Sequence, residues 1–384
     1  MEKLVPKLRF PEFQGNWEEK KLKNVSNYFN GGSFENDVKE EGRYELITLK
    51  SVDMSGNLAH SKRYLDIEVP TLKKGTLVMI LSEQSPGLLG MTAIISEENK
   101  YVLNQRVAEI RPKSDVVSYF LSMAINRNQK YFSKHGAGTK VQNISKPNVE
   151  NYTFLCPKPE EQQKIASFLT SVDERLTLLA QQKEKLELYK KGVMQQIFSQ
   201  KLRFKDENGN EYPDWEEKKL GDLVDVVKGK QLNKEELIEV GTYPCQNGGI
   251  EPSGYTEEFN TIENTITISE GGNSCGYVNF MTSKFWCGGH CYSLLNIKKS
   301  TLNHFLFQYL KFNQNEIMKL RVGSGLPNIQ KGSITNFRIE IPCIEEQQKI
   351  ASFLSAIDVQ IEGVSKKIEQ TKLFKKGLLQ QMFV

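Results

Sequence analysis

The chain has 384 residues, too many for one small core and enough for two or three domains. With 38% hydrophobic and 26% charged residues, a mean hydropathy of -0.48, no apolar run near the roughly 18 residues that span a bilayer, and no continuous apolar core of a secretory signal in MEKLVPKLRF, the composition is that of an ordinary globular protein, no membrane-spanning helix is expected and a cytoplasmic location is expected. A net charge of +4 and a pI near 8.5 are too mild to announce nucleic acid, so any charge that binds DNA must be local.

From the N-terminus, KLRFPEFQGNWEEKKL (7–22) leads into a globular region at about 17–158. Its strand candidates are YELITLKSV (44–52), TLVMIL (76–81), MTAIIS (91–96) and RVAEIR (106–111), followed by a helix near 115–132. A glycine loop, GAGTKVQNIS from Gly136, then leads into a final strand. Pro157 and Pro159 before Glu160 and Glu161 make a sound helix start, because proline and carboxylates suit a first turn whose amides lack partners. Over 160–199, steps of seven from Ile165 reach Val172, Leu179, Leu186 and Val193. Steps from Leu169 reach Leu176, Lys183, Lys190 and Ile197. This is a heptad seam.

KLRFKDENGNEYPDWEEKKL (201–220) rewrites the opening lead, and a second region at about 215–343 rewrites the first plan in other letters. NTITIS (264–269), GYVNFM (276–281) and YSLLNIK (292–298) are strand candidates, a helix is expected near 301–320, and GSGLPNIQKG from Gly323 is the matching glycine loop. The six cysteines (Cys156, Cys245, Cys275, Cys287, Cys291, Cys343) follow no disulfide framework and read as free thiols in a reducing compartment. CGGHC, 287–291 with His290 inside, has a metal look, but its spacing matches no standard zinc pair and the first region lacks a counterpart, so no metal site is expected.

The last block, 345–384, closes the pattern. EEQQKIASFL stands at 160–169 and again, letter for letter, at 345–354, an offset of 185 (345 − 160). The second seam runs through Ile350, Ile357, Val364, Thr371 and Leu378, beside Leu354, Ile361, Ile368, Lys375 and Met382. So narrow a stripe on a helix of about 60 Å cannot be buried by that helix alone, and the two helices most simply bury each other. Lys183, Lys190 and Lys375 interrupt the seams. They are either register devices, or contacts with DNA or a partner, or stems lying along the seam with the ammonium in water, the reading favoured here. The lead precedes the first region while the matching helix ends the chain, so joining Val384 to the region of Pro6 would make the repeat continuous.

The expected fold is α+β: two globular α/β domains separated by two long antiparallel helices forming a coiled coil, in a circular pseudo-twofold repeat. The segments are 1–158 (N-terminal segment and first domain), 159–200 (first long helix), 201–343 (second domain) and 344–384 (second long helix).

Enzyme readings find little. GAGTK lacks phosphate-loop spacing, no Asn-Pro-Pro-aromatic stretch occurs, PDWEEKK lacks the separated acidic residues of a nuclease, and the four histidines are scattered. No catalytic residue is assigned. Reading bases needs paired donors and acceptors on loops, and anchoring phosphates needs lysines and loop amides. The candidates in the first domain are Ser82, Gln84 and Ser85 in LSEQSPG, with Lys140, Gln142 and Asn143 after the glycine loop. In the second they are Gln246 and Asn247 in CQNGG, Asn273 and Ser274 in SEGGNSCG, and Asn328, Gln330 and Lys331. The alternative is that Asn and Gln beside glycine are turn formers bonding their own backbone. Glu160, Glu161, Gln162 and Gln163, repeated as Glu345, Glu346, Gln347 and Gln348, are expected to form a surface for a partner, since core packing would not preserve an exposed polar run.

FLCPKPEEQQKIASFL (154–169), IEIPCIEEQQKIASFL (339–354), the circular repeat, the two dissimilar regions and the WEEKKL leads together resemble the DNA-specificity (S) subunits of type I restriction–modification systems, over essentially the whole chain. The resemblance implies that each region is a target recognition domain reading one half of a split DNA site, while the helices set the spacer and dock methylation subunits, two of them. It implies a non-catalytic chain, with S-adenosylmethionine, ATP and Mg held by partner subunits and restriction/translocase subunits joining through the complex. A helical spacer of about 55–60 Å matches roughly one and a half turns of duplex, and two unlike domains imply an asymmetric site. The competing reading is a non-enzymatic coiled-coil scaffold whose globular ends bind proteins or glycans.

Overall fold

The computed structural model describes residues 4–84, 86–323, 325 and 327–384. The chain forms two compact units, residues 1–179 with 367–384, and residues 180–366. The sequence reading set each long helix apart as its own segment, whereas each is divided between the two units.

In the first unit a four-stranded antiparallel sheet places Ser26–Asn30, Val107–Pro112, Leu77–Ile80 and Thr92–Ile94 in spatial order. Leu77–Ile80 is apolar at every position, so both its faces need cover. Leu77 and Met79 pack with Phe120 and Leu121 of helix Ser118–Asn126, while the alternate residues Val78 and Ile80 pack with Ile47 and Val107. A smaller sheet orders Tyr64–Leu65, Tyr44–Ile47 and Tyr101–Leu103, the last two parallel. The lead also forms a strand that its EEKK letters do not signal: Glu18–Lys21 pairs antiparallel with Thr153–Cys156.

The second unit repeats the plan. Asp225–Lys228, Cys291–Leu295, Thr265–Ser269 and Val278–Met281 form the larger sheet. Tyr255–Thr256, Tyr243–Gln246 and Trp286–Cys287 form the smaller, and Glu216–Lys219 pairs with Arg338–Ile341. The single helix expected in each region is two helices. Ser118–Asn126 and Gln129–His135 part at Asn128, and Asn303–Phe312 and Gln314–Lys319 part at Asn313, both asparagines holding non-helical backbone angles.

The long helices are Pro159–Phe198 and Ile344–Gln381, and every residue of the four heptad rows is buried or half-buried. In the first unit Trp17 touches Glu161 near the start of one helix and Phe383 beyond the end of the other, while Asp173 pairs with Lys375, so the two helix portions run antiparallel. In the second unit Trp215 touches Glu346 and Phe198, Lys190 pairs with Asp358, and the portions again run antiparallel. The Lys190 and Lys375 ammoniums are therefore bound to carboxylates of the other helix rather than left in water. Lys183 reaches Glu187 of its own helix, at 3.8 Å.

The repeated polar run is also corrected. Glu161 is 3% exposed and accepts from Arg9 Nε and Nη2 at 2.8 Å each and from Trp17 Nε1 at 3.1 Å. Glu346, 0% exposed, takes Arg203 at 3.0 and 2.8 Å and Trp215 at 3.2 Å. Gln162 accepts the Val117 amide and donates to the Pro157 carbonyl, as Gln347 accepts from Leu302 and donates to Pro342. The middle two letters of each EEQQ thus fasten a helix start to its own unit, which is why they recur unchanged. Glu160, Gln163, Glu345 and Gln348 are exposed. The lead segments close the same way in each unit: the Leu8 amide donates to Gln381, and the Leu202 amide to Gln196.

Candidate nucleic-acid interface

In the second unit the chain leaves strand Thr265–Ser269 into a loop whose hydrogen bonds tie four segments into one rim. Ser269 and Ser274 hydroxyls both donate to the Gly248 carbonyl, the latter at 2.6 Å. Asn247 Oδ1 accepts the His290 amide at 3.3 Å, the Glu270 amide donates to the His290 carbonyl at 2.9 Å, and the Ile329 amide to Glu270 at 2.8 Å. The loops containing Asn247, Asn273–Ser274 and Asn328 are therefore brought together, with residues 288–290 as a fourth member. The packing is close there: a Cβ on Gly288 would lie 2.4 Å from Asn247 Oδ1, so a larger residue would displace the Asn247 side chain.

Asn273, Gln330 and Lys331 are exposed on this rim, and Asn247, Ser274 and Asn328 are half-buried. Gln246 is not available: it is 2% exposed and its Nε2 donates to the Gly249 carbonyl, so its expected role in base reading is replaced by one in holding the loop. Beneath the rim, buried Glu270 takes Lys228 Nζ at 2.6 Å and the Tyr292 hydroxyl at 2.9 Å, with His290 Nδ1 at 3.8 Å. Burial and this carboxylate push the Tyr292 hydroxyl well above the usual phenol range. With the rim's buried carboxylate so occupied, the exposed Lys230, Arg321 and Lys331 give this edge a positive character.

The first unit builds the corresponding rim. Ser82–Glu83 pairs with Gln142–Asn143, the Ile144 amide donates to Leu81 at 3.0 Å, and the Leu81 amide to Arg106 at 3.0 Å. Gln84, Lys140 and Asn143 are exposed, and Gln142 is half-buried. Ser82 is 3% exposed, and its hydroxyl is spent on Asn143 Oδ1, so it orients a neighbour rather than meeting a base. Ser85 lies outside the described residues.

Sequence reasoning missed residues 104–106 and 288–290, which occupy the same turn in the two units. The available signal is a short polar segment before the last strand of each larger sheet, NQR in one and GGH in the other, the second lying inside CGGHC. Cys245, Cys287 and Cys291 are buried beside that turn. Burial pushes the Cys245 thiol up to about 11, and the hydrogen bond with Cys287, then burial, hold Cys291 well above the usual thiol range. Among the described residues no group of three or more His, Cys, Asp or Glu is placed to hold a metal, and no helix is long and apolar enough to cross a membrane. The two rims offer amide, hydroxyl and cationic groups on loops braced by backbone bonds, the equipment for base edges and phosphates.

Residues 14–188 and 212–372 each match the family described as the type I restriction modification DNA specificity domain. A Mycoplasma pneumoniae protein described as a type I specificity subunit is 34% identical over 176 residues, covering 45% of this chain and 47% of that protein. The chain thus spans about half the length of the Mycoplasma relatives it matches. The type I restriction enzyme MjaIX specificity subunit of Methanocaldococcus jannaschii is 26% identical over 405 residues, covering 95% of this chain and 92% of the relative. The crystal structure of a type I restriction–modification S subunit from M. genitalium has the same fold, with a TM-score of 0.70 at 20% identity and 99% of both chains covered.

Proposed function

The chain belongs to the type I restriction modification DNA specificity family, and from that premise we propose that it is the address-reading, non-catalytic subunit of a cytoplasmic methylation and restriction complex. Each compact unit is a target recognition domain that reads one half of a split site in double-stranded DNA. The two rims share an asparagine, Asn143 and Asn328, and differ elsewhere, Arg106 against His290 among them, so the two half-sites differ and the site is asymmetric. The long helices, continuous from one unit into the other, set the spacer and dock two methylation subunits. S-adenosylmethionine, ATP and Mg belong to the partner subunits, including the restriction/translocase subunits that join through the complex.

The observation that carries this reading is the doubled rim: one backbone frame, braced by equivalent carbonyl–amide bonds at Leu81–Arg106 and Glu270–His290, presenting unlike side chains. A shared frame with changed letters is what two readers of two targets need. The test is single-molecule methylation sequencing of cells carrying this chain with its methylation subunit, against cells lacking it. A split, asymmetric, methylated motif confined to the first culture, with one half changed by swapping residues 17–158, is expected. No new motif despite an active partner would overturn the reading in favour of a protein- or glycan-binding scaffold.

A further inference from the structure

We propose that Arg106 is a base-reading residue of the first domain and that its target is a guanine in that half-site. The proposal deepens the specificity reading above and rests on it. Its first support is electrostatic. The chain has ten arginines, and seven are held by a carboxylate or, in one case, by a carbonyl. Among the described residues Arg106, Arg175 and Arg321 have no such partner at contact distance, the Arg106 charge acting on Glu35 only at longer range, behind Arg63 and Asn104. Arg175 lies on the first long helix, whereas Arg106 stands exposed on the rim of the first unit, one hydrogen bond from Leu81, which itself is bonded to the strand carrying Gln142 and Asn143.

The second support is the backbone. Arg106 sits at φ 66°, a left-handed conformation in which glycine or asparagine would cost less. The turn is fixed on several sides. Arg106 gives its carbonyl to Leu81, the Asn104 amide donates to Ile47 at 3.1 Å, and Asn104 Nδ2 donates to Glu35 at 3.0 Å. Gly31 closes over it so tightly that a Cβ there would lie 1.9 Å from the Asn104 carbonyl oxygen. So constrained a turn fixes where the Cα–Cβ bond of Arg106 starts, and with it the patch of rim that the long cationic side chain can reach.

The third support comes from the second unit. His290 holds the same position, its carbonyl taken by the Glu270 amide at 2.9 Å and its side chain 62% exposed. One architectural position filled by two unlike donor side chains is what discrimination between two targets requires. A free guanidinium presents two coplanar donors, and the matching pair of acceptors on a base edge is O6 and N7 of guanine.

The test uses the chain assembled with its methylation subunits, assayed on the wild-type motif and on duplexes altered one base at a time. Wild type should require a guanine in the half assigned to residues 17–158. Arg106→Gly should lower methylation of that motif by about 10- to 100-fold and lose discrimination at that one base, with the other half read as before and the thermal midpoint not lowered. Arg106→Lys should keep part of the rate and discriminate less well than arginine, because one ammonium replaces two coplanar donors. A loss of rate in Arg106→Gly that is equal on every base and is restored by Arg106→Lys would make the contact a phosphate and overturn the proposal, as would an Arg106→Gly variant that reads the motif unchanged or loses rate equally on every base while melting lower. If wild type methylates no split motif at all, it is the specificity reading that fails, and the guanine assignment falls with it.

Discussion

Asp173 and Lys375 meet at 2.5 Å in the first unit, and the residues at the same places in the repeat, Asp358 and Lys190, meet at 2.6 Å in the second. Each aspartate also binds its own domain: Asp173 accepts the Tyr119 hydroxyl, and Asp358 accepts Gln308 Nε2 at 2.8 Å. A lysine in an apolar row gives up packing, and a carboxylate arriving from the other helix at one height compensates it only in one register. The pair thus ties helix register and domain seating together in each unit.

Replacing Asp358 with Ala strands a Lys190 side chain that is 15% exposed, and a loss of about 1–2 kcal/mol is expected, between the values for surface and buried pairs. The charge swap, Asp358→Lys with Lys190→Asp, should recover most of it. Urea denaturation of the purified chain decides the matter, and a single variant as stable as wild type would show that the pair does not set the register.

The Arg203–Glu346 clamp should matter more. Arg203→Ala leaves a carboxylate that is 0% exposed with, among the described residues, Trp215 as its one side-chain donor, at an expected cost of about 3–5 kcal/mol. The control is Arg338→Ala, which breaks a pair with Glu217 whose members are 73% and 54% exposed and should cost under about 1 kcal/mol. Equal losses in the two variants would refute the clamp.

What was legible in the sequence was local. The heptad rows follow from a period of seven within one helix, and every one of their residues is sheltered. Leu77–Ile80 and Thr265–Ser269 were readable as strands from their apolar and β-branched letters. What failed needed a second segment. Glu161 looks like any solvated first-turn carboxylate until Arg9 and Trp17 arrive from 152 and 144 residues away. Gln246 looks like a loop amide until its neighbours bury it, and the parallel pairing of Tyr44–Ile47 with Tyr101–Leu103 leaves no mark in either strand. Arg106 carries in the sequence only the mark of a strand's first letter, because a left-handed φ is set by the turn around it.

Lys311 supplies a pH dependence. Its Nζ donates to the Val278 carbonyl at 2.8 Å and to Gln314 at 2.9 Å, and burial, then repulsion from Lys190, pushes its pKa from 10.5 down to about 8. The folded state holds the proton less tightly than the unfolded chain, so this contribution to stability is complete above 10.5 and is lost as pH falls through about 8. Wild type should therefore gain stability between those values, and Lys311→Met should flatten that rise. Denaturation midpoints on both sides of the window are the measurement, and a parallel rise in the variant would count against it.

Gln246 and Asn273 separate holding from reading. Gln246→Ala removes a buried donor to Gly249 and should lower stability by about 1–2 kcal/mol while the methylated motif stays the same. Asn273→Ala, exposed on the rim, should leave stability within about 0.5 kcal/mol and relax one position of the second half-site. A motif changed by the first variant and not by the second would reverse the two assignments.

The exposed cations Lys140, Lys230 and Lys331 make the last prediction quantitative, because phosphate contacts release counterions in proportion to their number. If the assembled complex makes roughly 6–10 such contacts, its affinity for the methylated motif should fall about 10³- to 10⁵-fold between 50 and 200 mM salt. Lys331→Ala should reduce the slope of log K against log salt by about 1 and weaken all sequences alike, whereas Arg106→Gly should change one base preference. A flat salt response would remove DNA as the ligand of the rims. A steep one that Lys331→Ala leaves untouched would move the phosphate path away from the 328–331 loop while leaving DNA recognition in place.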